Sequence, residues 1–231
     1  MRLGSGKLNL EVEGVLQVGT VEDLGDVSPP LDGVDQSVFG FGGVARLDTL
    51  LSDDELRLGI EVGYASGDQW EGDKPAQTHY ADKPYLPVEA DGTVCTTGRC
   101  DDTISNFFFD PDYHVDLILF RRLLGTVTNA TYFKPNLAYD ISERFRFKVA
   151  TILSFANVPV STPGNGLMYG LELDGDLGYH NDAEGFFAGV QYGVLFPMGA
   201  LDHPGSIFAD EGENGDASTA QTFQFRFAVK Y

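Results

Sequence analysis

Residues 222–231 read TFQFRFAVKY and alternate strictly between the two faces of an extended strand. Because successive side chains of a β-strand point to opposite faces, one face of this strand is apolar and the other is mostly polar. The apolar face needs a partner, which is either the core of a soluble sheet or the hydrocarbon of a membrane. The apolar set comprises Phe223, Phe225, Phe227, Val229 and Tyr231, and the polar set includes Gln224, Arg226 and Lys230.

Seven further stretches repeat this alternation, which brings the predicted number of strands to about eight. The connections between them alternate in length, with long ones after the first, third, fifth and seventh strands and short ones after the others. This alternation is typical of bacterial outer-membrane barrels, in which short periplasmic turns alternate with long extracellular loops. The sequence therefore predicts an all-β fold, an antiparallel transmembrane β-barrel, with a soluble lipocalin-like barrel as the alternative. The seven stretches are residues 7–18, 36–47, 56–66, 131–139, 144–155, 169–179 and 186–196.

Composition narrows the classes of protein that fit. The chain has 231 residues and no run of 18 apolar residues, which excludes a transmembrane helix. Its net charge of −20 argues against a nucleic-acid partner, because a phosphate-binding surface needs a basic face. We expect a single barrel domain over residues 1–231, with a long extracellular loop at about 67–128. Within that loop, residues 115–124 fit either a short helix ended by Gly125 or a strand.

Both ends of the sequence bear on its cellular location. Residues 1–6 lack the apolar region of a secretory signal, and the first strand begins almost at once. We therefore expect the chain to be the C-terminal part of a longer barrel, in preference to a chain whose signal has been removed. The aromatic last strand resembles the C-terminal signature of Gram-negative outer-membrane barrels. That resemblance implies membrane lipid, lipopolysaccharide and the barrel-assembly machinery as partners, and the outer membrane as the location.

One internal segment carries a more specific resemblance. The run FFFDPDYHVDLILFR at residues 107–121, followed by YFKPNLAYD at 132–140, resembles an uncharacterised outer-membrane family of myxobacteria and their relatives. More distantly, it is similar to the alginate-export-like porins. Those porins are larger barrels with about twice as many strands, in keeping with a chain that is part of a larger barrel. The resemblance implies an outer-membrane location more firmly than any substrate.

Two facing rows of charge are the first candidate functional feature. Arg144, Arg146 and Lys148 share the polar face of one predicted strand, and Glu172, Asp174 and Asp176 share that of the next. Facing charge rows select ions in porin constrictions. The alternative is that an eight-stranded barrel fills its interior with paired charges and leaves no pore. We expect all six side chains to line the lumen, together with Arg226 and Lys230.

Two smaller patterns contain residue types that could carry chemistry. In an extended conformation Asp110, Asp112, His114 and Asp116 would share a face and offer ligands to a divalent cation, although such rows are more often solvated. Cys95 and Cys100 predict a disulfide in an extracellular loop, because they are close in sequence and the chain is expected to be exported. No Ser/His/Asp set has a spacing that predicts catalysis, and we expect neither an enzyme nor a resident cofactor.

The sequence thus predicts a porin-like or export channel, or the C-terminal part of one, that passes small or anionic solutes. The alternative is a structural or adhesion-like barrel whose lumen is plugged by charge and which transports nothing.

Overall fold

The fold is an antiparallel β-sheet with little helix. It is seen in a computed structural model that describes residues 2–4, 8–21, 36–51, 55–68, 103–181, 185–203 and 215–229. A five-residue π-helical turn spans Leu119–Leu123 and a short 3₁₀ turn spans Pro159–Ser161. The strands are β1 (Arg2–Gly4), β2 (Leu8–Val21), β3 (Gln36–Leu51), β4 (Leu56–Ala65), β5 (Thr103–Ile104), β6 (Ala130–Asp140), β7 (Phe145–Ala156), β8 (Met168–Asn181), β9 (Phe186–Pro197) and β10 (Ala220–Val229).

The strands form one sheet in which each long strand pairs with its neighbours in the chain. The order is β1-β2-β3-β4-β6-β7-β8-β9-β10, and β5 pairs in parallel with β3. Eight of these strands have ten residues or more, in agreement with the predicted number. The predicted all-β antiparallel fold is confirmed. Within the described residues the sheet is open, because β10 pairs only with β9 and β1 only with β2.

Connections of two kinds alternate along the sheet. Short ones at residues 52–55, 141–144 and 182–185 join β3 to β4, β6 to β7 and β8 to β9. Long ones at 22–35, 66–129, 157–167 and 198–219 join the remaining long strands. The long connections therefore all leave from one end of the strands and the short ones from the other.

The two faces of the sheet differ sharply. The first, here called the apolar face, leaves large hydrophobic side chains exposed along all eight long strands, and Phe225 reaches 78% exposure. In aqueous solution, such a surface would have to be shielded from water by a second layer of structure, and no described residue provides that layer. Representative residues on this face are Val18, Phe39, Ile60, Phe133, Phe147, Leu173, Tyr192 and Phe225.

The second face, here called the covered face, packs against residues 105–128, here called the inner segment. The buried hydrophobic core lies between them and includes Val115, Leu119 and Phe120 of the inner segment with Tyr132 and Ile152 of the sheet. The described part of the predicted long loop thus lies against the sheet. Residues 69–102 of that loop lie outside the described residues.

Two local expectations need correction. Residues 115–124 are neither a regular helix nor a strand, because their only helical element is the π-helical turn, held by the Leu124 N–H to the Leu119 carbonyl at 2.9 Å. Gly125 adopts the left-handed conformation expected of it, with φ of 79°. The alternation of residues 169–179 predicts that Tyr169 shares the apolar face with Leu171 and Leu173, but Tyr169 is buried in the core. A register shift opposite Ser154 and Phe155 adds one residue to β8, and a β-bulge of this kind reverses the parity locally.

Candidate functional site

The inner segment is held to the sheet by one carboxylate. Glu172, on the covered face of β8, accepts hydrogen bonds from three consecutive backbone N–H groups, those of Leu117, Ile118 and Leu119, at 3.0, 2.8 and 2.9 Å. The Glu172 side chain is fully buried. Buried carboxylates need such donors, because an unpaired charge in a poorly solvated interior is costly. Glu172 therefore stabilises the start of the π-helical turn.

A second buried carboxylate lies next to this contact. Asp116 accepts hydrogen bonds from the backbone N–H groups of Phe120 and Arg121, at 2.9 and 3.1 Å. Burial raises the pKa of the Asp116 carboxyl to about 7, and the nearby Glu172 adds to the rise, whereas the two N–H groups oppose it. The inner segment is thus fixed by two adjacent acidic groups, one from β8 and one of its own.

An ion-paired cluster holds the other side of the inner segment. Glu61 of β4 accepts from the Nε of Arg46 at 2.6 Å and from the hydroxyl of Tyr132 at 2.7 Å. Arg46 also donates to the hydroxyl of Tyr113 and lies 5.1 Å above the centroid of the Tyr113 ring. Burial raises the pKa of the Tyr113 phenol, and the Glu61 carboxylate acts in the same direction. The cluster joins β3, β4 and β6 to the inner segment.

Glycines on the covered face make room for the aromatic rings of this cluster. A Cβ added to Gly63 would overlap the Tyr132 ring, and one added to Gly42 would overlap the ring of Phe107. In the sequence, Gly40, Gly42 and Gly43 are typical of a crowded or strongly curved wall, and at Gly42 the contact with Phe107 supplies the crowding.

A cavity of about 520 Å³ lies between the inner segment and the covered face. Its volume lies within the range of about 300–1,000 Å³ that is typical of small-molecule sites. The sheet side contains a cross-strand row in which small and polar residues alternate, since Gly59 pairs with Asn136, Asn136 with Ala150, and Ala150 with Asp174. His114, Asp116 and Arg121 of the inner segment line the opposite side.

The predicted charge rows meet the cavity only in part. Lys148 lies directly opposite Asp176 in the register of β7 and β8, and both line the cavity with Asp174 and Arg226. Arg146 instead forms an ion pair with Asp140, in which its Nη2 lies 2.8 Å from Oδ2. Arg144 lies in the exposed turn before β7, where its Nη1 is 3.5 Å from the hydroxyl of Tyr179. Glu172 contacts the inner segment rather than a cation.

The remaining predicted site residues are distributed as follows. Phe223, Phe225, Phe227 and Val229 all lie on the apolar face and are at least 55% exposed. Arg226, on the other face of β10, lies with its guanidinium 5.7 Å from the centroid of the Phe187 ring. Lys230, Tyr231, Cys95 and Cys100 lie outside the described residues, so the disulfide stays a prediction.

The acidic row at residues 110–116 is not extended. Asp110 accepts a hydrogen bond from the backbone N–H of Asp112 at 2.9 Å, and the Tyr113 N–H bonds the Asp110 carbonyl at 2.8 Å, which closes a turn. Asp110 and Asp112 are exposed, whereas Asp116 is buried. In the part of the chain that the structure describes, no group of three His, Cys, Asp or Glu residues is arranged to hold a metal ion.

Sequence reasoning missed four residues of the site, which are Arg46, Glu61, Tyr132 and Lys134. Glu61, Tyr132 and Lys134 occupy the polar parity of their strands, and Glu61 lies directly opposite Arg46 of β3 and Lys134 of β6 in the strand register. Opposite charges at facing positions of neighbouring strands are a recognisable signal, but they can be found only when the register between the strands is known.

No protein-family model matches the chain, and a search of curated proteins gave no match. Among the described residues, no helix is both long enough and apolar enough to cross a membrane.

Proposed function

We propose that the protein is an outer-membrane β-barrel protein, or the C-terminal part of one, that acts as a porin-like channel for small or anionic solutes. The observation that carries this proposal is the exposed apolar face, which continues across all eight long strands. Exposed aromatic and aliphatic side chains on every strand fit a hydrocarbon environment and are costly in water.

The length of the strands supports the same proposal, and the edges of the sheet add a requirement to it. A membrane-crossing strand needs about 9–11 residues, and the eight long strands have between 10 and 16. Backbone groups at the two sheet edges must be paired in hydrocarbon, so the proposal requires β10 and the first strands to find partners, by closure or with further strands.

Conduction is supported by the charged cavity beneath the inner segment. In this proposal the covered face lines the lumen, and the inner segment narrows the lumen without filling it. Lys148 lies on this face, and its neighbours Phe147 and Val149 lie on the apolar face, as a lumen-lining cation requires.

A second candidate function rests on a different observation. Glu172 and the Arg46–Glu61 pair fix the inner segment firmly to the sheet. A permanently fixed segment favours a structural or adhesion-like barrel with a plugged lumen.

Two measurements test the proposal. Cell fractionation should place the protein in the outer membrane, in a heat-modifiable and detergent-requiring form; a monomer soluble without detergent would contradict the membrane location. In planar bilayers the purified protein should give discrete conductance steps. An inserted, heat-modifiable protein that conducts nothing would favour the plugged barrel.

A further inference from the structure

The carboxylates that line the cavity are for the most part satisfied within the protein. Glu61 accepts from Arg46 and Tyr132, and Asp116 accepts from backbone N–H groups. Asp176 accepts from the side-chain amide of Gln191 at 2.7 Å. Much of the negative charge in this cavity is therefore committed to internal hydrogen bonds.

Arg46 lines the same cavity and is paired with Glu61, but three other cations of the cavity have no such partner in the part of the chain that the structure describes. Lys134, Lys148 and Arg121 line it, and within the described residues their charged groups have no hydrogen-bond acceptor and no carboxylate within 4.0 Å. Lys134 and Arg121 are half-buried. A partly desolvated cation without an acceptor is unfavourable, so an anionic group entering the cavity would be stabilised there.

Two acceptors of the cavity wall are also unsatisfied. The Oδ1 of Asp174 and the Oε1 of Gln191 are buried, and no described residue donates a hydrogen bond to either. Asp174 and Lys134 belong to strands two apart in the sheet, about 10 Å across it, and no ion pair joins them. A purely anionic ligand would be attracted by Lys134 and repelled by Asp174. A purely cationic ligand would be attracted by Asp174 and repelled by Lys134.

We infer that this cavity is a binding subsite for a small zwitterion, a solute with a carboxylate at one end and an ammonium at the other. Lys134 and Arg121 bind the carboxylate, and Asp174, with the neighbouring Gln191, binds the ammonium. This inference rests on the proposed channel, because it names the class of solute that pauses in the lumen. It also gives the inner segment a role, since Arg121 completes the carboxylate end of the subsite.

The test is calorimetric binding to the refolded protein in detergent, which does not depend on conduction. The three probes share one carbon skeleton, namely 4-aminobutyrate with both charges, butyrate with the anion only and butylammonium with the cation only. We expect 4-aminobutyrate to bind at least about tenfold more tightly than either singly charged probe. Lys134→Met should reduce its affinity to that of butylammonium, and Asp174→Asn should reduce it to that of butyrate.

Arg121 and Arg122 provide a matched pair of variants. Arg121 lines the cavity and Arg122 is exposed outside it, so Arg121→Gln should weaken 4-aminobutyrate binding by about tenfold while Arg122→Gln leaves it unchanged. Heat-modifiable migration and circular dichroism establish that each variant is folded.

The outcomes separate the subsite from the channel. If butyrate binds as tightly as 4-aminobutyrate, or if no probe binds to the folded wild-type protein, the zwitterion subsite is overturned. If 4-aminobutyrate binds as expected but bilayers show no conductance, the subsite stands and the channel proposal fails.

Discussion

The carboxylate of Glu172 lies 2.8 Å from the backbone nitrogen of Ile118, in the middle of three consecutive hydrogen bonds that join β8 to the inner segment. The two residues are 54 positions apart in the chain. A single side chain thus satisfies the backbone at the point where the inner segment turns, next to the cavity that Leu117 and Asp174 line.

Replacement of Glu172 should release the inner segment. Hydrogen bonds to a charged group contribute about 1.5–3 kcal/mol each, and Glu172→Ala removes three while leaving three N–H groups buried. We expect a loss of docking free energy of at least about 4.5 kcal/mol, three times the lower of these figures. Amide hydrogen exchange of residues 115–121 measures the loss directly. If the proposed channel forms, its conductance in bilayers should rise in this variant, because release of the inner segment would widen it.

Glu143→Gln is the control for this variant, because Glu143 lies in the exposed turn before β7. It should leave both exchange and conductance unchanged. Unaltered protection of residues 117–119 in Glu172→Ala would mean that core packing alone holds the segment.

Gly63 should not tolerate a side chain. An added Cβ overlaps the Tyr132 ring, which is fully buried and cannot swing away without leaving Glu61. Overpacking of this kind costs about 1–3 kcal/mol, so Gly63→Ala should lower the midpoint of urea unfolding. Gly175→Ala is the matched control, since its nearest neighbour would be the Tyr192 carbonyl oxygen at 3.9 Å. Equal midpoints for the two variants would contradict the assigned packing of Tyr132.

The periodic parts of this fold were predictable from sequence, and the aperiodic parts were not. Strand alternation identified the eight long strands, because one face of each must be apolar whatever covers it. Parity predicts that Lys148 and Asp176 share a side, as they do, but it misplaces Tyr169, because simple alternation takes no account of the bulge near Ser154. Gly170 is the one local signal of that bulge, since a glycine inside a strand often marks one.

The inner segment shows where sequence reasoning stops. Its anchors are backbone N–H groups, which every residue except proline possesses, so no residue type marks Leu117, Ile118 or Leu119 as partners of Glu172. The acidic residue itself was singled out, but as a lumen charge facing cations. Its actual partners depend on a contact 53 to 55 residues away in the chain.

Docking of the inner segment should weaken as pH rises. The Asp116 carboxyl has a pKa of about 7 in the folded protein, against an ordinary value of 3.8, so the docked state holds more protons between these values. The stabilisation linked to this proton is complete below about pH 4 and is lost as the pH rises through about 7. The groups that face Asp116 and shape this response are Glu172 and Asp174 of β8 and Lys134 of β6.

Protection factors of the Phe120 and Arg121 amides, corrected for intrinsic exchange at each pH, measure this dependence. They should fall between pH 5 and pH 8 in the wild-type protein, a window chosen around the Asp116 pKa of about 7. Asp116→Asn cannot titrate and should show a flatter profile. A wild-type profile that stays flat across the same window would mean that Asp116 is already charged when docked.

Spin labels at positions 148 and 149 should report opposite environments in lipid. Lys148 lies opposite Asp176 and lines the cavity, whereas Val149 lies on the apolar face, 38% exposed. A label at 148 should therefore be relaxed by an aqueous nickel chelate, and a label at 149 by lipid-soluble oxygen, because adjacent strand residues face opposite sides. A one-residue register slip would place Lys148 in hydrocarbon, at a cost of about 2–4 kcal/mol near the bilayer midplane. Labels at 173 and 174 repeat the test on β8, with Leu173 as the lipid-facing position.

If both labels of a pair respond to the nickel chelate, the apolar face is in contact with water and the proposed membrane location is wrong. If the label at 148 instead responds to oxygen and the label at 149 to the nickel chelate, the covered face would have to contact lipid. The buried Glu172 and Asp116 on that side make this arrangement untenable, so the strand register would have to be reassigned.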